Sequence, residues 1–233
     1  MSQPEQQIKP RLGILLLDTA FPRILGDIGN PESWSFHVRY EVVKGATPDA
    51  IVKGDPTQML DAFIQAGQKL VANGCTGITT TCGFLSLLQD DLKSALGVPV
   101  ATSSLMQIPT INALLPSGKC AAVLTISAES LTAAHLRAAG APLDTPIIGT
   151  DDGAFSAAIL GNKPELDVDA SKAEITAAAK QLCAAHPNVG ALVLECTNMP
   201  PYAAAVAEAT GLPVYSIYSL VSWFEAGLAP RSF

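Results

Sequence analysis

Thr79-Thr80-Thr81-Cys82-Gly83-Phe84 and Leu194-Glu195-Cys196-Thr197-Asn198-Met199-Pro200 decide the reading of this chain. Each closes a short apolar run, Gly77 to Thr81 in one case and Val189 to Leu194 in the other, that reads as a buried strand. Each is followed within a few residues by a helical pattern. A strand that passes into a helix at a cysteine puts that thiol at the carboxyl edge of an open α/β sheet, where such sheets take their ligands.

The second stretch echoes the first. Cys82 and Cys196 are 114 residues apart, and Gly97-Val98-Pro99-Val100 recurs as Gly211-Leu212-Pro213-Val214 at the same offset of 114. The chain therefore reads as two related α/β lobes, residues 1–103 with 218–233 forming the first and 104–217 the second. Facing lobes would bring the thiols to opposite sides of one cleft, an arrangement suited to moving a proton from one face of a carbon to the other. The competing reading is that cysteine is a small apolar filler; alignment of two cysteines by an internal repeat weighs against it.

The bulk properties narrow the field. The 233 residues are 48% hydrophobic and 15% charged, with a net charge of −7 and no cluster of Lys and Arg. This argues against nucleic acid and anionic membrane surfaces as partners. No apolar window approaches the roughly 18 residues of a spanning helix, and the run Leu12 to Leu17 is too soon broken by Asp18 to be a signal sequence. A cytoplasmic location is the default expectation. Five cysteines without a Cys-x-x-Cys pair predict free thiols and neither disulfides nor structural zinc.

Along the chain, residues 1–11 read as a loose tail, and Leu12 to Leu17 as a central parallel strand delivering Asp18-Thr19 to the same edge as Cys82. Asp18 is either a turn or cap residue or part of the site. The Gly- and Pro-rich stretch 20–35 is a lid over the cleft or a dimer contact. Phe36 to Val42 alternates as a half-exposed strand with His37 facing solvent. Asp55-Pro56 opens a helix that stops at Asn73-Gly74, and Leu85 to Leu96 forms another, closed by Gly97. A helix interrupted at Pro109 leads into the second lobe, where Cys120 to Ile126 is the partner of the first strand. Ser127 is expected to cap a helix running to Gly140, and Thr125 and Ser127 beside free helix N–H groups suit a carboxylate. Pro146 to Gly149 is a short strand, Asp151-Asp152 and 165–169 are solvated loop charges, and the Ser171-x-x-Glu174 pattern opens a helix. Pro200-Pro201 begins a helix that Gly211 ends, Val214 to Tyr218 returns to the sheet, and Leu220 to Phe224 forms a helix packed back on the first lobe.

With these residues in place, nearly the whole chain resembles the aspartate/glutamate racemase superfamily, whose relatives include hydantoin racemases, maleate isomerases and arylmalonate decarboxylases. The resemblance rests on the duplicated lobes, Asp18-Thr19 after the first strand, and the matched cysteines. It implies two Rossmann-like lobes with parallel sheets, related by a pseudo-twofold, with the active site in the cleft between them; a homodimer is a further expectation. Glutamate racemases follow the first cysteine with Asn-Thr and the second with Thr-His-Tyr-Pro. Here Gly83-Phe84 follows Cys82, and Asn198 stands where glutamate enzymes carry His and aspartate enzymes an acid.

The chemistry expected is cofactor-independent racemisation or epimerisation of an amino acid or related carboxylated compound. Cys82 and Cys196 are the catalytic pair, one removing the α-proton as thiolate and the other returning a proton. Helix starts at Gly83 and Thr197 would lower the thiol pKa. Backbone N–H groups near Gly83, Thr197 and Asn198 would hold the developing charge. Asp18, Thr19, Phe84, Thr125 and Ser127 complete the substrate-binding set, with no metal and no cofactor. Maleate isomerase-like or decarboxylase chemistry at the same cleft, and a two-lobed binding protein without turnover, are the alternatives.

Overall fold

The apolar runs become strands because each is covered on both faces. A computed structural model describes residues 11–232; the expected N-terminal tail falls almost wholly outside the described residues. Leu12–Leu17 (β1) is parallel to Val38–Val43 (β2) on one side and to Gly77–Thr80 (β3) on the other, and Val100–Ala101 (β4) pairs with β3. In the second lobe Cys120–Thr125 (β5) lies between Ile147–Gly149 (β6) and Val189–Leu194 (β7), and Val214–Tyr215 (β8) pairs with β7. The two four-stranded parallel sheets thus have the same strand order, β2-β1-β3-β4 and β6-β5-β7-β8. The internal repeat in the sequence is a repeat of topology.

Helices occupy the crossovers, as parallel strands require. In the first lobe these are Pro48–Val52 (α1), Leu60–Ala72 (α2) and Gln89–Leu96 (α3). Ile108–Leu114 (α4) leads across, and the second lobe carries Ala133–Ala138 (α5), Ala154–Leu160 (α6), Val168–Ala185 (α7) and Ala203–Thr210 (α8). Ile217–Leu228 (α9) then returns to the first sheet, where Phe224 and Leu228 press on Gly77. Gly97 and Gly211, 114 residues apart, both end their helices in the left-handed conformation, with φ of 65° and 69°. Among the described residues no helix is long and apolar enough to cross a membrane.

Several local expectations differ from what folds. Residues 127–132 form no helix: α5 starts at Ala133 on a cap from Thr132, whose hydroxyl and the ring of His135 cap each other's backbone N–H groups. Between Asp151-Asp152 and 165–169, where no element was expected, lies α6, whose seven residues carry no charge and no side-chain cap to mark the start. The long helix α7 begins at Val168, capped by Asp167 on the N–H of Ala170, so Ser171 lies inside its first turns. Tyr215 ends the last strand, because Ser216 caps α9.

Candidate active site

Each cysteine stands two residues beyond its strand, Cys82 after β3 and Cys196 after β7, and each opens a tight turn. The N–H of Leu85 bonds the carbonyl of Cys82 at 3.1 Å, and the N–H of Met199 bonds that of Cys196 at 3.0 Å. Backbone N–H groups face each sulfur, those of Phe84 and Leu85 at Cys82 and that of Asn198 at Cys196. The thiols are 7% and 6% exposed and line one cavity of about 20 Å³ together with Thr81, Gly83, Phe84, Glu195, Thr197 and Asn198. That volume is about the room one water needs. The lobes are stitched at the same place, where the Thr197 hydroxyl donates to the Thr81 carbonyl at 2.7 Å.

Both thiols are held neutral. Burial pushes each pKa up, and the carboxylate of Glu195 adds to the effect; the N–H groups pull the other way and are outweighed. Of the two helix starts expected to lower the thiol pKa, Gly83 opens a 3-10 turn and none begins at Thr197, where the next turn starts at Pro200. The lowering by N–H groups has the expected sign at both corners but does not prevail.

The surroundings of the second thiol include a polar chain. Cys196 Sγ donates to Asn198 Oδ1 at 3.6 Å, and Asn198 Nδ2 donates to Asp27 Oδ2 at 2.5 Å. Asp27 is 2% exposed and is paired to Arg23 at 3.0 Å. The 20–35 stretch is thereby fixed to the second lobe, with Gly26, at φ +97°, packed against Pro201.

Glu195 is the other buried acid, fully shielded from solvent. Its Oε2 accepts from the Thr125 hydroxyl at 2.7 Å, whereas Oε1 has no hydrogen-bond partner among the described residues. Burial raises its pKa to about 7, against the pull of Thr125 and the Ile126 N–H. Oε1 lies against Gly83, where a Cβ would overlap it and come within 2.6 Å of the Glu195 carbonyl oxygen.

The structure brings together Cys82, Cys196, Gly83, Phe84, Thr197 and Asn198 and leaves four expected residues elsewhere. Asp18 turns outward, taking the Gly45 N–H at 3.0 Å and pairing with Lys44 at 3.6 Å. Thr19 does not line the cavity and accepts from Arg23 at 3.0 Å. Thr125 does not line the cavity and gives its hydroxyl to Glu195. The anion site at Ser127 is filled by the protein's own Asp151, which takes the Ser127 hydroxyl at 2.8 Å and the Ala128 N–H at 2.9 Å. Sequence reasoning missed Glu195 and Asp27. Glu195 had a signal, a carboxyl ending an uninterrupted apolar strand; Asp27, between glycines in a loop, reads as an ordinary turn residue.

Outside the cavity, a groove of about 1200 Å³ runs between the lobes and shares Val52, Ile126 and Leu160 with the cavity wall. Its charged lining is Asp49, Asp55, Glu129, Asp151 and Asp152 against Lys53. Among the described residues no group of three or more His, Cys, Asp and Glu is placed to hold a metal ion.

Solved structures share this architecture. Unliganded arylmalonate decarboxylase superposes with a TM-score of 0.59 at 14% identity, covering 96% of this chain and 94% of that one. Allantoin racemase from Pseudomonas fluorescens gives 0.58 at 12% identity, covering 94% and 93%. The fold is that of the aspartate/glutamate racemase superfamily.

No family model matches the chain. Among curated proteins, dimethylsulfoniopropionate lyase 7 of Emiliania huxleyi (strain CCMP1516) is 34% identical over 231 residues, covering 94% of this chain and 67% of that protein. Dimethylsulfoniopropionate lyase 5 of the same organism is 33% identical over 215 residues, 87% of this chain and 42% of that protein. The dimethylsulfoniopropionate lyase of Durusdinium sp. clade D is 29% identical over 224 residues, 93% and 74%. The chain belongs to the enzyme family of these lyases, and it spans between about two fifths and three quarters of their lengths.

Proposed function

We propose that the chain is a carbon–sulfur lyase that cleaves dimethylsulfoniopropionate by β-elimination. The observation that carries the reading is the pair of buried thiols facing one cavity in a chain 34% identical to a named lyase over 94% of its length. Elimination and racemisation of a carboxylated compound share their first step, removal of the α-proton by a thiolate. They part afterwards. An α-carbanion with a sulfonium at Cβ expels dimethyl sulfide and becomes acrylate; without a leaving group it waits for a proton on the other face.

The unlike corners support different roles for the two thiols. Cys196 gives its proton to Asn198 in a hydrogen bond and is suited to remain a thiol. Cys82 faces two backbone N–H groups, which stabilise an anion, and is suited to be the base. The N–H groups around Gly83 and Asn198 are the donors available to the substrate carboxylate. The acid-rich outer groove favours approach of a cationic end. The cavity must widen to admit this substrate, and Val52 and Leu160, shared by cavity and groove, stand where it would open.

Purified protein incubated with dimethylsulfoniopropionate should release dimethyl sulfide and acrylate in equal amounts, followed by headspace gas chromatography and proton NMR. Loss of that release in Cys82→Ala is expected. The second reading, a two-base racemase, is favoured by the matched positions of the thiols. It predicts α-proton exchange with inversion on an amino acid in heavy water and no dimethyl sulfide.

A further inference from the structure

A thiolate base requires that the thiol proton go somewhere, and the walls of the cavity offer little. Glu195 precedes Cys196 in the chain, and its Oε1 rests on the backbone of Gly83, the residue after Cys82. The carboxyl thus spans both corners. Its other oxygen is held by Thr125 at 2.7 Å, which fixes the rotation and leaves the oxygen without a hydrogen-bond partner on the side of Gly83. The close approach exists only because residue 83 is glycine.

We propose that Glu195 accepts the proton that Cys82 gives up to become a base, so that the cavity carries one negative charge that moves from carboxylate to sulfur. The proposal rests on the lyase reading of the same site for its turnover step and on the geometry of the cavity for the proton transfer. The titratable and charged groups facing the carboxyl are Cys82 and Cys196; beyond them lie Arg23 and Asp27, paired to each other. In the transfer the S–H bond of Cys82 breaks and an O–H bond forms at Glu195. The thiolate then takes the α-hydrogen as a proton. The C–H electron pair becomes the C=C bond of acrylate while the C–S pair leaves with dimethyl sulfide. Glu195 returns its proton to solvent when the cavity opens, which balances the one proton released per turnover. With its burial-raised pKa of about 7, Glu195 is poised to gain and lose that proton near neutrality. It acts through Cys82 and is a positioning residue for the reaction.

The test uses the full chain as wild type, Glu195→Gln and Thr125→Val. Alkylation of Cys82 by iodoacetamide is followed by peptide mass spectrometry from about pH 5 to 10, beside dimethyl sulfide release from dimethylsulfoniopropionate over the same range. In the wild type, alkylation should rise with a midpoint near the Glu195 pKa of about 7 and then level off, because thiolate and protonated acid form together. In Glu195→Gln it should climb about tenfold per pH unit with no plateau, as for a thiol ionising alone. Dimethyl sulfide release in that variant should fall about 10²- to 10³-fold. Thr125→Val, which keeps the carboxyl, should move the plateau midpoint upward by about one pH unit, since the lost hydroxyl stabilised the anion; it decides the matter if the glutamine variant does not fold. Parallel alkylation profiles in wild type and Glu195→Gln, or an unmoved midpoint in Thr125→Val, would overturn the proposal. A plateau without dimethyl sulfide would sink the lyase reading and leave the proton transfer standing, and dimethyl sulfide with parallel profiles would do the reverse.

Discussion

Cys82 and Cys196 stand at equivalent corners of two sheets with the same strand order, and the corners differ in the residues next along the chain. After Cys82 come Gly83 and Phe84, which offer the sulfur only backbone N–H groups. After Cys196 come Thr197 and Asn198, whose side chains reach across to the other lobe and to Asp27. Topology was duplicated while the polar surroundings diverged, and a symmetric pair of thiols became an asymmetric one. One corner can stabilise an anion and the other is tied into a network that uses its proton.

The largest test of that asymmetry is to remove each thiol in turn. On the proposed lyase chemistry, Cys82→Ala should lower dimethyl sulfide release about 10³- to 10⁴-fold, whereas Cys196→Ala, losing a hydrogen-bonding thiol, should lower it about tenfold. Equal losses would restore the symmetric, two-base picture. Next comes the acid between the corners. The fold raises the pKa of Glu195 from an ordinary 4.5 to about 7, so it favours the protonated form. The fold therefore carries no penalty below about pH 4.5, loses stability as pH rises toward 7, and bears the full cost above it. Glu195→Gln never ionises and should match the wild type in urea unfolding at acid pH but exceed it at pH 8 by about 3 kcal/mol.

Smaller effects separate the residues beside the two cysteines. A side chain at Gly83 meets the Glu195 backbone, which cannot yield. Gly83→Ala should cost about 2–3 kcal/mol and lower Tm by roughly 5–10 °C. Thr197→Ala, which loses one hydrogen bond to Thr81, should cost about 1 kcal/mol. Asn198→Leu takes one donor from Asp27 but leaves it Arg23 and the Gly29 N–H, and should cost about 1–2 kcal/mol by thermal unfolding. Asp18→Asn, at the outward-facing position after β1, should leave turnover within about twofold of wild type. A large loss there would mean that the first corner extends further than its geometry indicates.

The repeat was legible because it is written in backbone requirements: glycines ending helices, prolines before short strands, cysteines at strand ends. Those constraints are local, and they placed both sheets, the crossovers and the two thiols. Side-chain partnerships are not local. Nothing near Asp27 in the sequence tells that it meets Asn198, 171 residues away. Nor does Ser127 indicate that Asp151 will fill its anion site. Helix α6 escaped because its start has no capping side chain and its seven residues carry no charge contrast. Glu195 was in plain view, and the all-apolar strand before it was the sign that its carboxyl would be buried.

The cavity that holds the thiols also bears on how long the enzyme lasts. Oxidants attack thiolates and require access. Both cysteines are buried and their thiol pKa values are raised, so their sulfur presents little thiolate to an oxidant. Among the other cysteines, Cys120 and Cys183 are only partly buried and should take up peroxide before the two thiols of the cavity. The same burial that keeps the two thiols protonated guards them against oxidation.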